Sequence, residues 1–438
     1  VSNSITKKKI FIFWLPLAAT WLMMASEGPF LAAIIARLVE PKFNLAAWGV
    51  AFSFALIIEA PVIMIMSAST ALVENRQSFK KLRNFTYFTN GIITLVMLIF
   101  LIPTVFNFIS ITLIGLPEKV ARLTYLAMFV LIPWPGAIGY RRFYQGILIR
   151  NNLTRRVAYG TVIRLTSISS TALLLYFYST IPGVAVAAIA LSVGVLVEAV
   201  ASRLMVYKTV RNLPNMTEKE KPLTYRQIFT FYYPLALTSM LALGVHPLVA
   251  FFVGHSLMAL ESLAVLPVIN SLVFIFRAMG LSYQEVAITL IGKKGEFYSV
   301  VRDFAFILGT SVVFILGLIA FTPLADFWFA TVSGLSIDLA EFSIFPTQIM
   351  VLMPGLSVML SFQRAIQVAS RETAHLTWAT VLEVLGIVTV LFILTFYVNL
   401  IGAIAATTAL LLGRIFANLY LINPNKRARM RLSSLNWH

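Results

Sequence analysis

The chain has 438 residues, of which 59% are hydrophobic and 12% charged, with no cysteine and four histidines. A soluble domain carries about 25% charged residues, so a body of this size at half that share could not cover its surface. The missing cysteines rule out a disulfide framework, a thiolate metal site and a cysteine nucleophile, and His246, His255, His375 and His438 lack the HExxH spacing of a zinc enzyme. The 34 Lys+Arg against 17 Asp+Glu leave a net charge of +17. Those basic residues fall in short clusters between long apolar runs, a pattern that fits a lipid bilayer rather than nucleic acid.

A spanning helix needs about 20 mostly apolar residues. In chain order the runs predict twelve, at 11–36, 45–73, 85–106, 122–149, 157–178, 182–207, 227–256, 261–291, 303–325, 345–369, 376–398 and 400–422. The run after Lys7, Lys8 and Lys9 is too long for a signal-peptide core and lacks a small-residue cleavage site, so it reads as a retained first helix. Twenty-three of the basic residues fall at the N-terminus, in alternate loops from 2–3 to 10–11 and in the tail; only Arg37, Lys42, Lys119 and Arg122 fall on the other face. Positive charge stays cytoplasmic, which predicts both termini on the cytoplasmic side of a plasma (inner) membrane.

The two halves resemble one another. Trp14-Leu15-Pro16-Leu17-Ala18 reads like Tyr232-Tyr233-Pro234-Leu235-Ala236 at a shift of 218, where Pro29 also meets Pro247 and Glu59 meets Arg277. Arg142-x-x-Gln145 answers Arg364-x-x-Gln367 at 222; at 219 Arg164 meets Glu383, and Gly183 and Gly194 meet Gly402 and Gly413. With six spans per repeat both halves enter from the same side. The fold class is thus an all-α polytopic membrane protein, two parallel six-helix lobes of the kind recurrent in secondary transporters. The expected domains are an N-lobe at 1–207, a charged linker at 208–226, a C-lobe at 227–422 and a basic tail at 423–438.

Twelve helices in a six-plus-six parallel repeat, with short basic 2–3 and 8–9 loops, resemble the multidrug/oligosaccharidyl-lipid/polysaccharide (MOP) exporter superfamily, which includes the MATE multidrug transporters. Pro16-Leu17, Glu27, Leu45-Ala46-Ala47-Trp48-Gly49-Val50-Ala51-Phe52-Ser53 and Gly146-Ile147-Leu148 look most like its progressive-ankylosis branch, linked to export of diphosphate, citrate and nucleotide-like anions. The resemblance implies ion coupling at an acid in helix 1, where this chain has Glu27. The acids that many sodium-coupled drug exporters carry in helices 7 and 8 have no counterpart; His246 and Arg277 stand in that region, against a cationic-drug/Na⁺ antiporter.

Ionisable residues inside a membrane cost several kcal/mol and face partners or a watery cavity. Glu59 with Arg277, and Arg164 with Glu383, exchange sign between the repeats. They form either a gate across the central cavity or pairs confined to one lobe, while Glu198 and Arg414 read as structural and Glu285 as a capping residue. Glu27, beside Gly28 and Pro29, and His246, beside Pro247, are the candidate coupling groups, since loosened helices free carbonyls for ions or protons. Arg142 with Gln145 and Arg364 with Gln367 share a helix face at i, i+3 and suit an anion, with snorkelling as the plainer alternative.

The function expected is a secondary transporter working by alternating access, coupled to H⁺ or Na⁺ and moving an anionic or zwitterionic solute. No catalytic residues, resident metal or organic cofactor are expected. Its partners are the bilayer and a small solute, without nucleic acid, and it acts as a monomer. The alternatives are a lipid-linked oligosaccharide flippase and a cationic drug/H⁺ antiporter.

Overall fold

A computed structural model describes residues 5–151, 153–215, 222–291, 295–370 and 374–434. Among these, eleven helices are long and apolar enough to cross a membrane, and a bent pair supplies a twelfth. They are α1 (Lys7–Ala36), α2 (Pro41–Leu72), α3 (Arg76–Phe100, continued at 71° by Pro103–Leu113), α4 (Glu118–Arg150), α5 (Thr154–Tyr178), α6 (Gly183–Arg211), α7 (Tyr225–Gly254), α8 (Ala259–Leu290), α9 (Tyr298–Phe321), α10 (Ile337–Ala369), α11 (Ala374–Phe396) and α12 (Gly402–Leu432). Each predicted span falls on one of them. The centre of the charged linker (216–221), Lys293, Lys294, Arg371 and the last four residues lie outside the described set.

The duplication is visible in backbone detail. A break at Ser26 divides α1 into Lys7–Ala25 and Glu27–Ala36, and one at Gly244 divides α7 into Tyr225–Leu243 and Val245–Gly254. The cause is shared: Pro29 and Pro247 have no amide hydrogen for the carbonyls of Ala25 and Leu243, and their rings crowd those oxygens. Thr6 and Thr224 start the same two helices, their side chains accepting from the Lys9 and Gln227 amides. Two π-helical turns, Phe108–Leu113 and Phe327–Val332, follow α3 and α9 at a shift of 219. Gly115 and Gly334 then turn the chain at φ 76° and 75°, in the left-handed region that needs no Cβ.

Equivalent helix pairs also approach closely at equivalent places. A Cβ on Gly194 of α6 would lie 2.3 Å from Ile168 of α5, and one on Gly413 of α12 would lie 2.4 Å from Ile387 of α11. Small residues at such points let membrane helices pack where no hydrophobic force drives them together.

The chain divides into two compact units: residues 1–33 with 255–438, and residues 34–254. In the first, Lys7–Ala25 packs along α8, the Trp14 indole donates to Ser282 Oγ at 2.8 Å, and its ring meets Phe304 edge-on at 6.0 Å. In the second, Tyr225–Leu243 packs along α2, the Tyr232 hydroxyl donates to the Pro61 carbonyl, and its ring meets Phe85 edge-on at 5.2 Å. Trp14 and Tyr232, like Phe304 and Phe85, are repeat mates. The units therefore differ from the lobes expected at 1–207 and 227–422, because each repeat's opening helix anchors on the second and third helices of the other repeat. Sequence similarity records the duplication, whereas packing follows these aromatic anchors. Most of the basic tail expected at 423–438 continues the last helix, which runs from Gly402 to Ser434 through Pro424, and Arg429 lies over the Tyr298 ring at 4.4 Å.

Candidate functional site: two buried charge clusters

Each unit holds a cluster of charges drawn from corresponding helices. In the second unit it comes from α2 (Glu59), α4 (Arg141, Arg142, Gln145), α5 (Arg164) and α6 (Glu198). In the first it comes from α8 (Arg277), α10 (Arg364), α11 (Glu383) and α12 (Arg414). These are helices 2, 4, 5 and 6 of either repeat.

The cluster of the second unit is organised around Glu198, which is 0% exposed. Arg141 donates to its Oε2, Gln145 donates to its Oε1 at 3.0 Å, and Arg164 Nε stands 3.4 Å from Oε2. Gly160 of α5 lies beside this carboxylate, where a Cβ would make an ordinary contact at 3.4 Å. Glu59, 5% exposed, keeps Oε2 buried without a hydrogen-bond partner, in the field of Arg142, Arg141 and Arg164. Among the described residues Arg142 has no carboxylate within 4 Å, and its Nη1 donates to the Met66 sulfur at 3.5 Å. Three guanidiniums thus face two carboxyl groups, a formal charge of +1.

Among the described residues the cluster of the first unit has a single acid, Glu383. Arg414 donates to Glu383 Oε1 at 2.8 Å and to Ser357 Oγ at 3.3 Å. Asn418 braces the same helix by donating to the Leu356 and Arg414 carbonyls. Arg277 and Arg364 have no carboxylate within 4 Å among the described residues, and each Nε is buried without a hydrogen-bond partner. The charges acting on Arg277 are Arg414, Glu383 and Arg364, so this cluster carries +2.

The structure brings together Glu59, Arg142, Gln145 and Arg164 in one unit, and Arg277, Arg364 and Glu383 in the other. Arg164 is engaged by Glu198 and Glu383 by Arg414, which are the in-lobe pairings weighed above against a gate. The two glutamines do not stay with their arginines: Gln145 turns to Glu198, and Gln367 donates to Asn425 Oδ1 at 2.7 Å. Arg142 and Arg364 are left as the available donors. Glu27 opens the second half of α1, half-buried, where a Cβ on neighbouring Gly28 would lie 3.2 Å from the Ser271 side chain of α8. His246 is exposed on α7.

Sequence reasoning counts Arg141 among the basic residues within the spans but gives it no role, and it misses Ser357 and Asn418. The adjacent pair Arg141-Arg142 recurs as Gln363-Arg364 at the same shift of 222, and that repetition was the available signal.

No family model matches the chain, and no curated protein matches it in sequence. Solved structures do match. An inward-facing multidrug-resistance MATE family transporter of the MOP superfamily superposes with a TM-score of 0.77 at 15% identity, over 97% of this chain and 99% of its own. A MOP superfamily transporter from Pyrococcus furiosus, described by a reversed polarity of its binding pocket, gives 0.68 at 15% over 98% and 97%. The lipid II flippase MurJ, in an inward closed conformation, gives 0.72 at 14% over 97% and 90%. The chain has the MATE-type fold of the MOP superfamily transporters, a multi-pass helical membrane protein over nearly its whole length.

Proposed function

We propose that this chain is a secondary active exporter that moves an anionic or zwitterionic solute by alternating access, coupled to H⁺ or Na⁺. The observation that carries the reading is the pair of guanidiniums, Arg277 and Arg364, held inside a membrane-spanning unit without an acid of their own. A lone basic side chain at the bilayer centre costs about 2.5–3.5 kcal/mol on insertion scales and faces a partner or a watery path. Guanidinium forks match carboxylate and phosphate, so an anionic solute group supplies the missing partner. A cationic drug finds no free acid in that cluster, because Glu383 is committed to Arg414.

Glu27, at the proline-induced break of α1, is the coupling group in this reading, with His246 at the equivalent break of α7. Both termini face the cytoplasm at a plasma (inner) membrane, and one chain suffices. Arginines that grip a lipid-linked diphosphate would serve a flippase equally well, and the likeness to MurJ in fold favours keeping that reading as the second.

The test is uptake into proteoliposomes against a panel of small anions, zwitterions and organic cations under imposed pH or sodium gradients. Saturable, gradient-driven movement of anions is expected, and Glu27→Gln should abolish the dependence on the gradient while leaving folding intact. Movement of cations alone would overturn the reading, and activity confined to a lipid-linked substrate would establish the flippase.

A further inference from the structure

Away from both charge clusters, a groove of about 480 Å³ runs between α4 and α6 in the second unit. Its walls are Pro133, Gly136 and Ala137 on α4 and Leu196 and Val200 on α6, and Arg203 stands at one end. The spacing puts 133, 136, 137 and 140 on one face of α4 and 196, 200, 203 and 207 on one face of α6. Leu196, Val200 and Leu204 are 41%, 60% and 70% exposed, so this face of the span is turned toward lipid.

Arg203 is unexplained by either cluster. Its guanidinium lies over the Tyr144 ring at 5.1 Å and the Tyr207 ring at 5.9 Å. Tyr144 is itself held edge-on by Tyr140 at 4.8 Å, and Tyr140 stacks on Tyr87. Ring faces attract the cation but accept little from its N–H groups, and Nη1 is buried without a hydrogen-bond partner. No carboxylate lies within 4 Å among the described residues. At 1.5 Å per residue, Arg203 is about 12 Å below Arg211 at the basic end of α6 and about 10 Å from Leu196 toward the bilayer middle. An arginine at that depth reaches toward the headgroup layer while its stem stays among apolar groups.

We propose that the α4–α6 groove is a binding site for an anionic phospholipid of the leaflet facing the basic helix ends. Its phosphate takes the free N–H groups of Arg203, and one acyl chain lies along Val200, Leu196 and Pro133. Lys208 and Arg211, in the last turn of α6, stand above the headgroup and add attraction for negative charge. The tyrosines fix the guanidinium on its stem, so little side-chain freedom is lost when the phosphate arrives. Basic pockets between spanning helices bind acidic lipid heads in this way.

The test is native mass spectrometry of the full-length chain released from mixed phosphatidylglycerol/phosphatidylcholine nanodiscs. The protein should retain phosphatidylglycerol selectively. Arg203→Gln should weaken that retention about five-fold without changing the phosphatidylcholine count, and Arg203→Lys should keep part of the preference. Val200→Trp, at an exposed position, fills the groove and should displace both lipids with an unchanged thermal midpoint. Equal retention of the two lipids by the unmodified chain, or undiminished phosphatidylglycerol on Arg203→Gln, would overturn the proposal. A chain dimer that Val200→Trp abolishes would assign the groove to a second copy instead.

Discussion

The two charge clusters occupy the same four helices of each repeat and yet are wired differently. In the second unit Glu198 takes two arginines and a glutamine, which leaves one arginine, Arg142, and one glutamate, Glu59, in each other's field. In the first unit the position matching Glu198 is Ala417, and among the described residues Glu383 is the one acid in the field of Arg277 and Arg364, already bonded to Arg414. A duplicated scaffold has thus been specialised by a few substitutions: Glu59 against Arg277, Arg164 against Glu383, and Arg141 against Gln363. One copy is largely neutralised by its own side chains, and the other holds unsatisfied positive charge. That difference is what an anion would recognise.

The largest test of this contrast removes the hub. Glu198→Gln leaves Arg141 and Arg164 buried without their acid and should cost about 3–5 kcal/mol, read as a large fall in the thermal midpoint of the purified protein. No equivalent cost attaches to Arg364→Gln, which deletes an uncompensated charge. It should keep or raise the midpoint while weakening anion uptake about tenfold, the size of one lost charge-assisted contact. Arg142→Gln should act more weakly, because Glu59 already offsets its charge; an equal loss would place both clusters on the solute's path. Smaller still, Ser282→Ala, which removes the acceptor of Trp14, and Tyr232→Phe each delete one hydrogen bond that anchors an opening helix and should each cost about 1 kcal/mol. A large cost for one alone would break the symmetry of the exchange. Smallest of all, combining Glu59→Arg with Arg277→Glu should rescue nothing, since each residue's charge partners lie in its own unit. Recovery of transport would restore the cross-lobe gate.

Much of this was legible in the chain. Pro29 and Pro247 mark the broken helices, and Gly194 and Gly413 mark the tight crossings, because proline and glycine act through the local backbone. Ten candidate residues were legible as charged or polar groups in apolar runs, where any such group is costly. Their partners were not. Arg141 looked like one more basic residue beside Arg142, and helical spacing along α4 gave no sign that it turns toward α6. Gln145 and Gln367 looked like companions of their arginines, yet each hydrogen-bonds to a neighbouring helix.

The sequence by itself determined the number of spans, the parallel duplication and the inventory of intramembrane charges, since apolar length, repeat register and residue type are local properties. Only the tertiary structure decided which charges meet and which helices form each compact unit. Residues more than fifty positions apart, such as Arg141 and Glu198, become neighbours only when helices pack. The same packing carries Trp14 and Tyr232 onto the other repeat's helices, a choice that side-chain contacts make and chain order does not.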